Sequence, residues 1–282
     1  MKERLNLMYT PTPRLAMLNS FAGFGRISTT VALPIISVMQ VQVCPIPTSV
    51  LSNHLAFPFC TKQDFTEHIL PFLQTWEELN LRFDGFYCGY LSNREQMESV
   101  EYFLNSKLLK EDASIIIDPV MGDAGKPYRT VTPEHIAQMK ELVKQAHLIT
   151  PNLTELCLLT DTPYTEEGWT TEKLTSLCAS LDTNNQKQIV VTGIENAKEL
   201  MVFIWNKCNI SEIRFPSAGD SRHGTGDIFA SILSANALKQ VPLETSVKQA
   251  VDFISACIRD SEEAGLPILD GVLFEQNLSR LL

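Results

Sequence analysis

Short apolar runs with strand character alternate with amphipathic stretches along most of the chain. Short runs of apolar, often β-branched residues predict buried strands, whereas apolar positions three to four residues apart predict helices. Strands are predicted at 15–18, 41–44, 85–88, 114–117, 147–150 and 189–192, with a hairpin pair at 200–205 and 211–215. Helices are predicted at 27–39, 64–79, 95–109, 134–145, 227–239, 243–260 and 273–281.

This alternation predicts an α/β fold with a central, mostly parallel β-sheet and helices on both of its faces. No repeat, low-complexity tract or long linker interrupts the pattern, so a single domain over residues 1–282 is the simplest interpretation. Residues 1–13 are expected to form a flexible N-terminus. Segment 48–63 is aromatic, contains prolines and lacks a clear period, so we expect it to form a lid or an edge hairpin.

Composition and charge exclude several classes of partner. The chain has 282 residues, of which 44% are hydrophobic, and a formal net charge of −10. An acidic protein repels the phosphate backbone, which disfavours nucleic-acid binding. No apolar stretch approaches the roughly 18 residues of a membrane span. The 7 cysteines are scattered and lack a Cys-x-x-Cys pair, which favours a reducing, cytoplasmic location over a disulfide framework or a zinc site.

Polar residues follow several predicted strands, where open parallel sheets bind their ligands. The segment His223-Gly-Thr-Gly-Asp227 lies at the start of the predicted helix 227–239. Glycines, free amide groups and the helix dipole at such a position attract an anion, and they would stabilise the charge on a phosphoryl group during transfer. Asp227 could accept the proton of an attacking hydroxyl. The same residue types also begin ordinary helices, so this motif alone leaves both interpretations open.

Two further polar segments suit the binding of a divalent cation and phosphate. Asp118 ends strand 114–117, and a turn carrying Asp123 follows it. Such carboxylates can bind Mg²⁺ together with phosphate oxygens, although a strand-ending turn is the alternative. Asn152 and Glu155 could contact phosphate and water-bridged Mg²⁺, but they also have the spacing of a helix capping box. Thr192 ends a strand and is uninformative alone.

Two common nucleotide-binding motifs are missing. Gly23-Phe-Gly25 lacks the third glycine and the distal acidic residue of a dinucleotide fingerprint, and no phosphate-binding loop with its lysine is present. The motifs therefore indicate neither an NAD-dependent oxidoreductase nor a P-loop NTPase.

Taken together, the polar segments resemble the ribokinase-like superfamily and, within it, the pyridoxal (vitamin B6) kinases. In chain order they are Asp118-Pro-Val-Met-Gly-Asp123, Thr150-Pro-Asn-Leu-Thr-Glu155, Val191-Thr-Gly193 and Gly224-Thr-Gly-Asp227. The substrate-side segments that add to the resemblance are Asn19-Ser20, Val31-Ala-Leu-Pro34, Ser52-Asn-His54 and Gly89-Tyr-Leu91. The resemblance covers most of the chain, and its combination of motifs is more specific than any single one.

The resemblance implies a ribokinase-like fold and transfer of the γ-phosphoryl group of ATP to the 5′-hydroxymethyl group of pyridoxal, pyridoxine or pyridoxamine. It also implies Mg²⁺, a monovalent cation such as K⁺, and a homodimer. The implied site residues are the general base Asp227, the anion hole Gly224, Thr225 and Gly226, the Mg²⁺-organising Asp118 and Glu155, the phosphate-side Asp123, Thr150, Asn152 and Thr192, and the pyridine-pocket Ser20 and Tyr90.

The chain departs from this family pattern on the substrate side. Leu55 stands where the family usually has a threonine, the following loop to Cys60 is apolar, and the loop Phe21–Gly25 lacks a histidine found in many relatives. The acceptor therefore stays open between a B6 vitamer, hydroxymethylpyrimidine and another small alcohol. A non-catalytic vitamer- or nucleotide-binding protein is a further alternative. The intact Gly-Thr-Gly-Asp motif disfavours it, because a sensor needs no base.

Overall fold

The computed structural model describes residues 12–196 and 199–282. The strands are β1 Arg14–Ala22, β2 Gln42–Leu51, β3 Lys62–Asp64, β4 Phe83–Cys88, β5 Leu109–Ile117, β6 Gly122–Asp123, β7 Lys126–Pro127, β8 Leu148–Ile149, β9 Gln188–Asn196, β10 Glu199–Asn206 and β11 Asn209–Pro216. The α-helices are α1 Thr29–Val38, α2 Thr66–Glu78, α3 Arg94–Asn105, α4 Pro133–Lys144, α5 Leu153–Leu159, α6 Thr171–Leu181, α7 Thr225–Leu238 and α8 Leu243–Glu263. Two 3₁₀ helices span Ile268–Asp270 and Glu275–Leu281.

The main sheet has nine strands in the order β11-β10-β9-β8-β5-β4-β1-β2-β3. Pairing is parallel from β9 through β8, β5, β4 and β1 to β2. It is antiparallel at the two edges, where β10 and β11 extend one side and β3 the other. The predicted α/β fold with a mostly parallel central sheet is confirmed.

Hydrophobic cores cover both faces of this sheet. Along β1, Leu15 and Met17 contribute to the core beneath α1, α7 and α8, whereas Ala16 and Leu18 contribute to the core beneath helices α2 to α6. Successive side chains of a strand point to opposite faces, so a strand buried on both sides reads as a continuous apolar run. Burial of each large apolar side chain contributes about 1.5–3 kcal/mol, which fixes the register of the parallel strands and aligns their carboxyl ends.

Segment 48–63 forms an edge hairpin, one of the two forms expected for it. Its first residues continue β2, and its last residues enter β3, with Ser49 opposite Asp64 and Leu51 opposite Lys62. The position of β3 could not be predicted from the hydrophobic pattern, because all of its side chains are exposed and show no alternation of buried and exposed positions. The tip of the hairpin, residues 52–61, projects from the same end of the sheet as the polar segments.

Several element boundaries differ from the prediction. Helix α3 ends at Asn105, because Ser106 takes extended backbone angles, and β5 begins at Leu109 with an exposed polar stretch. Helix α6 was not predicted, and the last predicted helix is a 3₁₀ helix. The expected flexible N-terminus falls almost entirely on residues 1–11, outside the described residues. None of the helices in the described ranges has the length and apolar character needed to cross a bilayer.

Candidate active site

The carboxyl ends of five parallel strands bring the polar segments together. Leu18 of β1 pairs with Cys88 of β4, Cys88 pairs with Ile117 of β5, and Ile117 pairs with Ile149 of β8. A further bridge joins Asn152 to Thr192 of β9. The next residues along the chain are Asn19, which is still within β1, and Gly89, Asp118 and Thr150, which directly follow the ends of β4, β5 and β8. In-register parallel strands thus place residues that are far apart in sequence along one edge of the sheet.

Asp227 lies on the first turn of α7 and faces the end of β1. Its Oδ1 accepts a hydrogen bond from Asn19 Nδ2 at 3.2 Å. Burial raises the pKa of the Asp227 carboxyl, and hydrogen bonds from the Ser28 backbone amide and the Asn19 side chain partly oppose that rise. A carboxylate with a raised pKa is a stronger base than a solvated one, so it is better suited to accept a proton near neutral pH.

The anion nest, defined here as residues Gly224 to Asp227, depends on a left-handed glycine. Gly224 has φ 84°, and a Cβ there would lie 2.1 Å from the Arg26 carbonyl oxygen, so no other residue fits. The first hydrogen bond within α7 runs from the Ile228 amide to the Gly224 carbonyl at 2.9 Å, which leaves the amide groups before it free for an anion. A Cβ on Gly226 would meet no atom of the described residues within 4 Å, so this side of the nest is open.

Two further acidic residues, Asp118 and Glu155, belong to the same region as Asp227. Asp118 is 7% exposed and accepts a hydrogen bond from Thr150 Oγ1 at 2.9 Å. Burial raises the pKa of Asp118 to about 8, and the nearby Asp227 carboxylate adds to the rise. Burial also raises the pKa of Glu155 well above its usual value, with repulsion from Asp118 as the second cause. These carboxyl groups therefore destabilise one another when they are all ionised.

Glu155 has a structural role as well. Its Oε2 accepts from the Asn152 amide at 2.8 Å while Asn152 Oδ1 accepts from the Glu155 amide at 2.9 Å, which completes the capping box of α5. Its Oε1 accepts from the Met121 amide at 3.0 Å. The capping alternative is therefore confirmed for this pair. Any contact of Glu155 with a cation would use the remaining lone pairs of these two oxygens.

The acidic residues fit a divalent cation that is bound together with phosphate. No cluster of three or more His, Cys, Asp or Glu side chains is placed to hold a metal within residues 12–196 and 199–282. Mg²⁺ usually keeps several waters and takes only one or two protein carboxylates beside substrate phosphates. A positive charge near Asp118 and Glu155 would also relieve the repulsion that raises their pKa values. Asp118 with Glu155 is thus a chemically reasonable place for Mg²⁺.

The remaining phosphate-side residues lie on or beside a small hairpin made by β6 and β7. Asn152 Nδ2 donates to the Gly122 carbonyl at 2.8 Å and so fixes this hairpin to the start of α5. Asp123 is exposed within it, and its Oδ1 accepts from the Ala124 amide at 2.8 Å. Asn152 also forms a backbone bridge with Thr192 of β9. The predicted phosphate-side residues Asp123, Asn152 and Thr192 therefore lie in one region.

The two residues predicted for the pyridine pocket have other partners. Ser20 is buried, and its Oγ donates to Ser28 Oγ at 2.9 Å. Tyr90 follows β4, and its hydroxyl lies 3.0 Å from Thr130 Oγ1. Ser20 adjoins Asn19 and is therefore close to Asp227, but the contacts of Tyr90 do not connect it to Ser20. The sequence analysis assigned Asn19 no role beside the base, although Asn19 is a polar residue directly after the predicted strand 15–18, the same signal that identified Asp118.

The hairpin tip packs through aromatic rings against His223, the residue just before the anion nest. The His54 ring lies 4.6 Å from the His223 ring and 4.6 Å from the Phe57 ring, and Phe57 lies 5.6 Å from Phe24. His54 is only 3% exposed, whereas Leu55 is 55% exposed. A cavity of about 290 Å³ adjoins these rings, and its lining residues are Phe24, Ser52, Asn53, Phe57, Pro58 and Phe59.

Comparison with known proteins identifies the family. The family model for phosphomethylpyrimidine kinase matches residues 79–269. The chain belongs to that family. Family members with solved structures include a candidate phosphomethylpyrimidine kinase from Bacteroides thetaiotaomicron, 32% identical, which superposes with a TM-score of 0.92 and covers 97% of this chain and 96% of its own. A second crystal form of that protein contains pyridoxal and has a TM-score of 0.90 at 31% identity, with 96% of each chain covered.

The curated relatives of this chain are named for two activities. The hydroxymethylpyrimidine/phosphomethylpyrimidine kinase of Aquifex aeolicus is 26% identical over 89% of this chain and 90% of its own. The pyridoxal kinase of Dictyostelium discoideum is 25% identical over 95% of this chain and 88% of its own. The expected resemblance to pyridoxal kinases is confirmed. The chain is therefore a kinase of the family that includes pyridoxal and hydroxymethylpyrimidine kinases.

Proposed function

We propose that this protein transfers the γ-phosphoryl group of ATP to the 5′-hydroxymethyl group of a B6 vitamer, giving the 5′-phosphate and ADP. The observation that carries the proposal is the position of Asp227. This carboxylate has a raised pKa, is held by Asn19, and belongs to the same helical turn as the open amide groups of the anion nest. A base beside an anion site suits a hydroxyl acceptor and a phosphoryl donor.

In this mechanism the acceptor hydroxyl lies beside Asp227, with the γ-phosphate at the anion nest. The hydroxyl oxygen forms a bond to the γ-phosphorus as the bond to the β-phosphate oxygen breaks, and the hydroxyl proton passes to Asp227. Amide groups from Gly224 to Asp227 stabilise the charge on the transferred group. When bound, Mg²⁺ would neutralise charge on the phosphate oxygens, and Asp118 and Glu155 are the residues that would hold it. Asn19 keeps the Asp227 carboxylate oriented.

The choice of a B6 vitamer rests on the relatives and on the shape of the substrate side. The Bacteroides thetaiotaomicron protein, 31% identical in its second form, was crystallised with pyridoxal. Curated pyridoxal kinases match most of the chain. Phe57 packs on His54, which packs on His223 just before the nest. Phe24 lies beside Phe57, and such aromatic faces suit a flat pyridine ring.

Hydroxymethylpyrimidine is the second candidate acceptor. The Aquifex aeolicus relative is named for kinase activity on both hydroxymethylpyrimidine and phosphomethylpyrimidine, and the matching family model is named for phosphomethylpyrimidine kinase. A pyrimidine would present the same hydroxymethyl group to Asp227, so the catalytic end of the site would be unchanged.

Parallel assays distinguish these acceptors. Purified protein with Mg²⁺ and ATP is tested against pyridoxal, pyridoxine, pyridoxamine and hydroxymethylpyrimidine, and each phosphorylated product is identified by mass. We expect the largest kcat/KM with a B6 vitamer and a kcat lower by about 10²–10⁴-fold in an Asp227→Asn variant. A larger kcat/KM with hydroxymethylpyrimidine would overturn the substrate assignment but keep the mechanism. ATP binding without any product from the four acceptors would overturn both.

A further inference from the structure

A buried arginine lies two residues before the anion nest. Arg222 is 5% exposed, and its Nη2 pairs with Glu262 Oε1 at 2.9 Å. Its Nη1 donates to the carbonyls of Leu266, Pro267 and Gly271 at 2.9, 3.3 and 3.3 Å. A guanidinium at the focus of three carbonyl oxygens and one carboxylate is in the environment that proteins usually offer to a bound cation.

The carbonyls from 266 to 271 all have donors within the protein. Besides the three that accept from Arg222, the Leu269 carbonyl lies 2.7 Å from His54 Nε2 and the Asp270 carbonyl accepts from Arg26 Nη1 at 3.1 Å. The Ile268 carbonyl accepts from the Gly271 amide at 3.2 Å. We call residues 266–271 the carbonyl segment. The partial negative charge of its carbonyl oxygens is balanced mainly by the side chains of Arg222, Arg26 and His54.

The carbonyl segment is in direct contact with the loop that builds the anion nest. A Cβ on Gly271 would lie 2.7 Å from the Gly25 carbonyl oxygen and 3.3 Å from that of His223, so the backbones approach closely here. The Arg222 carbonyl accepts a hydrogen bond from Thr225 Oγ1 at 3.0 Å. Arg222 therefore links the carbonyl segment, through its side chain, to the first turn of α7, through its backbone.

This arrangement bears on the monovalent cation that the family resemblance implies. K⁺ binds where carbonyl oxygens replace its hydration shell. Beside the anion nest, the point where carbonyls converge is already filled by Arg222 Nη1, and a second cation at that point would be repelled by the guanidinium charge. The residues present therefore do not fit a monovalent cation at this position.

We propose that Arg222 is a positioning residue that supplies a built-in cation behind the anion nest, and that this protein consequently needs no K⁺ for phosphoryl transfer. The proposal rests on the proposed kinase function for its rate measurements only. The guanidinium fixes the carbonyl segment against residues 222–227 and so sets where the nest amide groups point. Loss of this support would misplace the nest, and a displacement of about 1 Å can cost about 10²-fold in rate.

The test compares K⁺ with tetramethylammonium, which is too large for a carbonyl cage, at equal ionic strength. For the wild-type protein we expect equal melting temperatures and equal kcat in the two salts. Arg222→Met should lower kcat by about 10²-fold. In that variant the vacated carbonyls should bind K⁺, so its melting temperature should rise by roughly 2–4 °C in K⁺ and its kcat should partly recover. Arg222→Lys, which keeps a charge, should retain more activity than Arg222→Met.

Arg94→Met is the matched control, because Arg94 is exposed and pairs with Glu98 on the same helix. It should behave as the wild type in both salts. A wild-type protein that is stabilised or activated by K⁺ over tetramethylammonium would overturn the proposal, as would wild-type kcat in Arg222→Met. The melting measurement needs no substrate. Absence of phosphoryl transfer in every protein would therefore count against the proposed function, while the K⁺ shift alone would still decide whether Arg222 replaces the ion.

Discussion

Asn19 Nδ2 donates a hydrogen bond to Asp227 Oδ1 at 3.2 Å across 208 positions of the chain. The Asn19 Oδ1 in turn accepts from the Ser20 amide at 2.8 Å, so both ends of the amide group are fixed. Space for the Asn19 side chain exists because residue 89 is glycine, where a Cβ would lie 2.5 Å from Asn19 Nδ2. The orientation of the proposed base is thus set by the end of β1.

We expect Asn19→Ala to lower kcat by about 10- to 100-fold, because Asp227 loses the donor that holds its carboxylate. That hydrogen bond also lowers the pKa of Asp227, so its removal should move the acidic limb of the pH–rate profile to higher pH. Rates measured across pH with saturating substrates check both effects. Asn105→Ala, at an exposed position of α3, is the control, and an unshifted profile in Asn19→Ala would contradict the assignment.

Asp227→Asn keeps the shape of the side chain but removes the proton acceptor. We expect kcat to fall by about 10²–10⁴-fold, whereas the affinity for ATP should change little because the nest amide groups remain. Turnover and nucleotide-binding titrations on the same preparation separate the two quantities. Asp252→Asn on the exposed side of α8 is the matched control. Turnover close to that of the wild type would remove Asp227 from the mechanism.

The raised pKa of Asp118 makes stability depend on pH. The carboxyl titrates at about 8 in the folded protein and near its ordinary value of 3.8 when unfolded, so between these values the folded state binds the extra proton. Stability should therefore fall as pH rises through this window, and Asp118→Asn should fall less steeply.

Melting temperatures measured in EDTA across that pH range test this expectation. Asp112→Asn, at an exposed position of β5, the strand that Asp118 follows, is the control. Added Mg²⁺ should flatten the wild-type curve, since a cation favours the ionised carboxyl groups. Parallel curves for the wild type and Asp118→Asn would show that Asp118 is not the titrating group.

The aromatic tip of the β2–β3 hairpin should limit wasteful hydrolysis of ATP. Phe57 packs on His54 beside the nest, whereas Phe59 is 87% exposed. We expect Phe57→Ala to raise the ratio of ATP hydrolysis to phosphoryl transfer, because water gains access to the phosphoryl group. Phe59→Ala changes the same residue type two positions away and should leave the ratio unchanged. An unaltered ratio in Phe57→Ala would rule out a lid function for this segment.

The sequence predicted the sheet and the order of polar residues along its edge because both follow from local rules. Apolar runs identify parallel strands, and a carboxylate at a strand end, such as Asp118, is fixed in space once the strands pair in register. The capping spacing of Asn152 and Glu155 is equally local, and the structure contains that capping box.

Contacts made by backbone atoms were beyond sequence reasoning. The carbonyl segment has no distinctive side chains, and nothing about Arg222 in the sequence indicates that its guanidinium faces three carbonyls. The hydrogen bond between Asn19 and Asp227 joins residues 208 positions apart, so no local sequence pattern predicts it. The sequence suggested an edge hairpin at 48–63 but did not locate strand β3, because pairing there is made by the backbone and its side chains show no periodicity.

The two glycines of the anion nest should fail in different ways when replaced. A side chain at Gly224 would strike the Arg26 carbonyl and would need a left-handed backbone, so substitution there should cost folding. At Gly226 a methyl group meets open space among the described atoms, so the protein should fold while the volume reserved for phosphate is filled. Gly226→Ala should thus be a folded but catalytically inactive protein, in which the acceptor can be crystallised without being phosphorylated.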